Sequence, residues 1–181
     1  RLSDGNLLGM DASWTDGGDR LYGWIFKMDD NAQHIWSKLI VLGSQSIHLF
    51  VSESPTNGEL IGTIYDHVPN AQSDAIIVKF DKNGNLLFSK EYGGEYEDNL
   101  RYAISTSDGG IMAVGMSKSF GNSGTEILVV KTDENGNVEN CCTKDVELIV
   151  VDGTIVNKGA TPDVSPFSST YPIQGSSINL Q

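Results

Sequence analysis

Two short loops carry oxygen-bearing side chains at alternate positions, the spacing found in the first half of a calcium-binding loop. The possible calcium ligands are Asp81, Asn83, Asn85, Asp133, Asn135 and Asn137. A net charge of −12 favours cation binding in general, but both loops lack the bidentate Glu that completes such a site. Asp, Asn and Gly are also the residues of tight hairpin turns. We favour the turn, and expect no metal site and no cofactor, with Ca²⁺ as the alternative.

An acidic cluster is the next candidate for chemistry. Its members are Glu91, Glu95, Glu97 and Asp98. Paired carboxyl groups can hydrolyse glycosides when they are held the right distance apart. We favour a solvated loop, with Asp98 tying it to the neighbouring repeat. The three histidines, His34, His48 and His67, lack metal-ligand spacing, and no Ser lies in a nucleophile elbow. The sequence therefore predicts no catalytic residue.

Two adjacent cysteines, Cys141 and Cys142, are the only ones in the chain. They can bond to each other in a strained ring, pair with cysteines of another chain, or stay free. Two cysteines alone cannot form a disulfide framework or a zinc site.

Several aromatic residues could contact a ligand. Trp14 lies in a Gly-rich loop, and Tyr65 and Tyr96 lie near predicted loops, so these three are the ligand-binding candidates. Trp24 and Trp36 fall within the strand pattern, where we expect core packing.

These residues belong to a repeat with a period of 52 residues. Lys27, Lys79 and Lys131 keep this spacing, and Trp36, Phe88 and Asn140 follow the same step. In the most complete copy, the apolar runs 101–106, 111–116 and 126–132 are separated by Gly-bearing turns. A fourth strand is expected from Val138. The run 126–132 is apolar enough to predict burial on both faces. Four short strands in about 50 residues are typical of a kelch-type propeller blade.

The runs EYGGEYEDN, DGGIMAVG and EILVVKTDENGN resemble the repeats of secreted bacterial and archaeal β-propellers. The matching positions are Phe88, Lys90, Tyr92, Gly93, Gly94, Asp98, Asp108, Gly109, Gly110, Gly115, Lys131, Asp133, Gly136 and Asn137. The resemblance covers about residues 4–140 and departs at Asn140-Cys141-Cys142, where the family has aromatic-Ser-Lys. It implies four-stranded antiparallel blades and a secreted or cell-surface location, but no particular activity.

The predicted fold is therefore all-β, a partial propeller or an array of about three blades. Repeats occupy residues 1–142, approximately as 1–43, 44–94 and 95–142. The first copy lacks its first strand, which predicts a piece of a longer propeller, two copies closing a ring, or an open array capped by its tail. Residues 143–181 predict a hairpin over 145–157, turning at Asp152-Gly153, and then a Ser/Thr/Pro/Gly-rich linker.

The acidic charge and the absence of any basic run argue against nucleic acid. The longest apolar runs, of four residues, are too short to span a bilayer. The sequence predicts a non-enzymatic extracellular or cell-surface module that presents its loops to protein or polysaccharide. One alternative is a subunit of a surface filament or layer that self-associates through open sheet edges and the tail. The other is a propeller glycoside hydrolase or lyase.

Overall fold

The computed structural model describes residues 1–14, 21–42, 47–66, 74–121, 124–139 and 143–153. Within these ranges the chain forms twelve strands and no helix. The same ranges accordingly contain no apolar helix that could cross a membrane. The strands pair only in the antiparallel sense and build three sheets. The predicted all-β fold is thus confirmed.

Each sheet corresponds largely to one sequence repeat. The first has the order β1-β2-β3-β12, with β1 (Leu7–Trp14), β2 (Leu21–Met28), β3 (His34–Leu42) and β12 (Ile149–Asp152). The second has the order β11-β7-β6-β5-β4, with β4 (Ile47–Glu53), β5 (Leu60–Asp66), β6 (Ala75–Phe80), β7 (Leu86–Tyr92) and β11 (Thr143–Asp145). The third has the order β10-β9-β8, with β8 (Asp98–Ser105), β9 (Ile111–Ser117) and β10 (Glu126–Thr132).

The third sheet differs from the four-stranded prediction. Its described part has three strands, and the fourth strand expected from Val138 does not join it. The chain instead forms β11, which extends the second sheet along β7. Lys90 on β7 binds Asp145 at 2.7 Å, and the Ser89 hydroxyl donates to the Val146 carbonyl at 2.5 Å. These side-chain contacts accompany the pairing of β11 with β7.

The C-terminal segment then crosses from the second sheet to the first. Leu148 is buried between these sheets, and β12 pairs with β3. The backbone N–H of Gly153 donates to the Ser37 carbonyl at 2.9 Å. The first arm of the predicted hairpin thus pairs with another sheet, while residues 154–157 lie outside the described part of the chain. Residues 143–153 fasten the outer edges of two sheets.

Alternation of side chains along the middle strand of the second sheet creates two cores. On β6, Ile76, Val78 and Phe80 point toward the first sheet, whereas Ala75 and Ile77 point toward the third. A period of two therefore lets one strand serve both interfaces. Full burial of an aliphatic or aromatic side chain stabilises the fold by about 1.5–3 kcal/mol. The buried side chains of β6 therefore stabilise both the interface with the first sheet and the interface with the third sheet.

The strand β10 was expected to be buried on both faces, and this is wrong. Val130 and Thr132 are buried against the second sheet, but Ile127 and Val129 on the opposite face are 80% and 58% exposed. The expectation holds for β6, its counterpart 52 residues earlier. The difference is positional, since no described sheet lies beyond the third.

A repeated contact joins consecutive sheets at their hairpins. The ring of Trp36 in the first sheet packs under Gly84 in the hairpin of the second, and Phe88 packs under Gly136 in the third. Both glycines have positive φ, of 79° and 77°. A β-carbon on Gly84 would lie 2.9 Å from the Trp36 ring, and one on Gly136 would lie 2.7 Å from Phe88. Glycine is required there both for the turn and for the close approach of the ring.

The lysines of the 52-residue repeat each bind an acid near the preceding turn. Lys27 binds Asp4 at 2.5 Å, Lys79 binds Glu59 at 2.7 Å, and Lys131 binds Asp108 at 2.9 Å. The Lys27 ammonium group holds the pKa of Asp4 below its usual 3.8. The chain runs up and down through each sheet, so every second connection lies at the same end. These turns and the hairpins 29–33, 81–85 and 133–137 therefore lie together at one end of the sheets. We call this the turn end, and the opposite end the loop end.

Substitution of turn glycines tests the ring-on-glycine contact between the sheets. Gly5→Ala introduces a β-carbon at a φ of +87° with no atom within 4 Å, so it suffers only the backbone strain, about 1 kcal/mol. Gly84→Ala suffers the same strain and also displaces Trp36, and we expect a further loss of about 1–3 kcal/mol. Urea unfolding of the two variants measures the difference. Equal losses would mean that the ring contact contributes nothing.

Candidate functional site

At the loop end, two neighbouring connections are pinned together by a buried carboxylate. They are residues 93–97, between β7 and β8, and residues 118–121, after β9; we call them the loop pair. Asp98, at the start of β8, is fully buried. Its Oδ2 atom accepts hydrogen bonds from the Gly94 N–H at 2.8 Å and from the Ser119 hydroxyl at 2.6 Å. Asp98 thus ties one loop to the other, joining Gly94 at the end of the second repeat to Ser119 in the third.

Further polar contacts fix the loop pair. The Ser119 hydroxyl accepts from the Tyr96 N–H at 2.8 Å, and Lys118 binds Glu97 at 2.5 Å. The Tyr65 hydroxyl donates to Glu97 at 2.5 Å, which connects the loop pair to β5 of the second sheet. A loop held by this many side-chain bonds loses little further conformational entropy when it binds a partner.

The loop pair exposes two aromatic rings. Tyr96 is 56% and Phe120 42% exposed. The loops approach closely at Gly94, where a β-carbon would lie 2.6 Å from Ser119 and 3.4 Å from the Phe120 ring. Exposed aromatic rings on a rigid support offer large contact area at a small cost in conformational entropy. The arrangement suits the recognition of a protein or sugar surface.

The other aromatic candidates lie in different environments. Tyr65 is 9% exposed, and it stacks on His48 with 6.2 Å between ring centroids, so it supports the loop pair from inside. The backbone of Trp14 ends β1, opposite Leu21, but its side chain lies outside the described part. Trp36 packs against the first core. Trp24 packs over Gly153, 2.5 Å from the position of an added β-carbon.

The remaining sequence candidates do not converge on a site. Cys141, Cys142 and His67 lie outside the described residues. His34 contacts Ser37 in its own strand, at 3.2 Å. Among the residues that the structure describes, no three His, Cys, Asp or Glu side chains are arranged to hold a metal ion.

The two calcium-like loops are occupied by their own donors. Asp81 Oδ1 accepts from the N–H groups of Asn83 and Asn85, at 2.8 and 2.9 Å, and Oδ2 accepts from the Asn85 side chain at 2.8 Å. Partial burial raises the pKa of Asp81, but these donors outweigh it and hold the pKa below 3.8. The carboxylate oxygens that would bind calcium are closing a hairpin turn.

The same contacts recur in the last repeat. Asp133 Oδ1 accepts from the N–H groups of Asn137 and Asn135, at 2.7 and 2.9 Å, and Oδ2 accepts from the Asn137 side chain at 3.0 Å. The Asn137 donors hold the pKa of Asp133 below 3.8. The contacts of both loops support the hairpin interpretation of the sequence.

Calcium should therefore leave the stability unchanged. We expect the melting temperature to move by less than about 1 °C when either CaCl₂ or EDTA is added. Calcium stabilises a protein only when it binds the folded state more tightly than the unfolded state, and the turn donors already occupy the carboxylates that would bind it. Asp133→Ala removes the turn acceptor and should lower the melting temperature equally in both conditions. A calcium-dependent increase that disappears in Asp133→Ala would establish a metal site instead.

A second carboxyl group at the loop end was not found from the sequence. Asp74 directly precedes β6, and its carboxyl group lies in hydrogen-bond contact with Glu91 and close to Asp98. Burial, the Glu91 contact and the Asp98 charge together raise the pKa of Asp74 to about 7. Gly93 makes room for the group, because a β-carbon there would collide with Asp74 and Asp98.

Direct contact between Asp74 and Glu91 also bears on the hydrolase alternative. Glycosidases hold their two carboxyl groups about 5–9.5 Å apart, with the sugar or a water molecule between them. The pair at Asp74 leaves no such space. A cleft with a volume of about 300 Å³ lies at the turn end and is lined in part by Asp4, Lys27 and Glu53. These groups are already bonded, since Lys27 pairs with Asp4 and Glu53 accepts from Ser3.

The raised pKa of Asp74 predicts a pH dependence of stability. The group binds a proton up to about pH 7 in the folded chain but only up to about 3.8 in the unfolded chain. Folding therefore takes up a proton between these values, and the free energy of unfolding falls as the pH rises from 4 to 7. Asp74→Asn should flatten this interval, as measured by urea unfolding at several pH values. Asp30→Asn, at an exposed turn, is the matched control, and an unchanged slope in Asp74→Asn would contradict the assignment.

Comparison with known proteins identifies no relative. No protein-family model matches the chain, and neither does any curated protein or solved structure.

Part of this site could be predicted from the sequence. Asp98 and Tyr96 were both singled out, the first as a tie and the second as a contact residue. Phe120 could have been found as the apolar residue of an otherwise polar loop. Asp74 carried no signal, because its neighbours Glu91 and Asp98 come from other strands.

Proposed function

We propose that this chain is a non-enzymatic binding and structural module that acts outside the cell and contacts protein or polysaccharide through its loop end. The observation that carries the proposal is the exposed pair of rings, Tyr96 and Phe120, on loops pinned by the buried Asp98. Support comes from a polar network that fixes these loops before any partner arrives, which lowers the entropy lost on binding.

The module's architecture is proposed to be that of propeller blades. Successive repeats form successive sheets, each packed face to face on the next through an apolar core. The same ring-on-glycine contact occurs at both interfaces, as expected when equivalent blades are arranged around a common axis. The extracellular location rests on the resemblance to secreted propeller repeats.

Neutral polysaccharides are the favoured class of glycan. The chain carries a net charge of −12, so it repels acidic polymers, whereas aromatic rings stack on the apolar faces of uncharged sugars.

A glycan array of neutral and acidic polysaccharides tests the proposal. We expect binding to neutral members, and a loss of about fivefold or more in affinity for Tyr96→Ala and for Phe120→Ala. Leu87→Ala is the control, since Leu87 is 51% exposed but lies at the start of β7, beside the hairpin 81–85 and away from the loop pair. Equal losses in all three variants, or binding that none of them changes, would contradict a role for the loop pair.

A further inference from the structure

The third sheet has a continuous apolar face on which no described sheet packs, and the Phe50 ring of β4 contacts Tyr102 at its margin, with 4.7 Å between ring centroids. Its side chains, all 40–80% exposed, are Tyr102, Ile104, Met112, Val114, Met116, Ile127 and Val129. They come from all three strands, and Val114 lies at the centre, paired with Tyr102 on one side and Val129 on the other. We call this the open face. A contiguous apolar surface of this kind marks an interaction site.

The repeat shows that the open face is built like a covered one. Ile127 and Val129 lie 52 residues after Ala75 and Ile77. Those two residues belong to the second sheet and are fully buried under the third. The open face therefore continues an interface that already occurs inside the chain, and differs from it only in lacking the next sheet.

The outer face of the first sheet, on the opposite side of the molecule from the open face, is covered by its own side chains. On the outer face of the first sheet, the Trp24 ring lies over Gly153 and the Phe26 ring lies over Gly9. Both rings are half-buried as a result. Exposed apolar side chains remain mainly on the edge strands, at Leu7, Ile149 and Val151. The outer faces of the first and third sheets are thus unequal, and the third sheet presents the larger uncovered surface.

In a head-to-tail assembly, the first sheet of one copy would pack on the third sheet of another. The hairpin of the first sheet lacks the glycine that makes the ring-on-glycine contacts inside the chain. Ala32, at a φ of 59°, occupies the hairpin position that Gly84 and Gly136 occupy in the later repeats. The aromatic partner is missing too, since Asn140 stands where Trp36 and Phe88 stand in the earlier copies. Head-to-tail stacking of the first sheet on the third would therefore lack the ring-on-glycine contact, and growth into a filament is disfavoured.

From these observations we infer that the open face binds the open face of a second copy of this chain, forming a two-fold symmetric dimer. Self-complementary contacts of one patch are the commonest way in which soluble chains pair. None of the seven side chains carries a charge, and Asp108, which lies at the turn end of this face, is paired with Lys131, so two chains of net charge −12 can meet there without burying an unpaired carboxylate. Val114, at the centre, lies near the symmetry axis.

Size and charge set the conditions of association. A face three strands wide, at about 4.8 Å per strand, is smaller than the roughly 800 Å² per partner of a standard stable interface. We expect a dissociation constant in the range of about 1–100 µM. Salt should strengthen the dimer, because it screens the repulsion between two acidic chains.

Sedimentation velocity of the 181-residue chain, from about 1 to 300 µM, tests the inference. The wild type should shift from monomer to dimer, and Ile127→Lys and Val114→Glu should each raise the dissociation constant by about tenfold or more. Leu87→Lys is the matched control, with an apolar side chain 51% exposed on β7 of the second sheet. Val151→Lys alters the first sheet. Circular dichroism and melting curves show whether each variant is folded.

The outcomes are distinct. Loss of the dimer in Ile127→Lys, with dimers retained in Leu87→Lys and Val151→Lys, supports the two-fold contact. Dimers lost in Val151→Lys, or species larger than dimers, would show head-to-tail stacking and overturn it. A wild type that remains monomeric throughout would also overturn it, and would assign the open face to a different protein or to a further sheet. Should Val114→Glu fail to fold, Ile127→Lys on the exposed edge strand decides the question.

Discussion

The packing of one aromatic ring on one hairpin glycine determines how each sheet sits on the one before it. Trp36 reaches Gly84, and Phe88 reaches Gly136, at the same place in successive repeats. The glycine gives the turn its positive φ and leaves the space that the ring fills, so neither residue can change without the other. The Tyr92 hydroxyl reinforces the second contact by donating to the Gly136 carbonyl at 2.5 Å. The two apolar cores form in the register that these contacts set.

Part of the acidic character of the chain is explained by local structure. Three carboxylates bind the repeat lysines near the turns, and Asp29, Asp81 and Asp133 accept backbone N–H groups within the hairpins. Such bonds favour the charged form, as at Asp108, where the Thr106 hydroxyl and Lys131 hold the pKa well below its usual range. Carboxylates engaged in turns are not free to bind metal or to catalyse. The exception is Asp74, where burial and neighbouring acids favour the protonated form.

The proposed binding site and the proposed dimer contact use different parts of the same scaffold. The loop pair lies at the ends of the strands and depends on Asp98, whereas the open face lies on the flat side of the third sheet. A partner at Tyr96 and Phe120 and a second copy at Val114 therefore approach from different directions. A dimer would present two loop pairs, and two linked sites raise the apparent affinity for a repetitive ligand such as a polysaccharide.

The sequence by itself determined the strands, the turns and their period. These depend on neighbours within a few residues: Asn-Gly and Asp-Gly pairs form tight turns, and apolar alternation forms half-buried strands. It also singled out Asp98 as a residue that ties its loop to the neighbouring repeat. Only the tertiary structure decided where β11 and β12 pair, because a short strand joins whichever edge offers it backbone and side-chain partners.

Burial also depended on the assembled sheets. Nearly identical runs became the buried β6 and the half-exposed β10, since among the described residues the second sheet has a neighbouring sheet on both sides and the third sheet has one on a single side. Tyr65 and Tyr96 were equal candidates in the sequence, yet one is buried and the other exposed. The proximity of Asp74, Glu91 and Asp98 arises from three strands, so no local pattern could reveal it. Spacing along the chain fixes local hydrogen bonds, whereas exposure and pKa depend on what the rest of the fold places nearby.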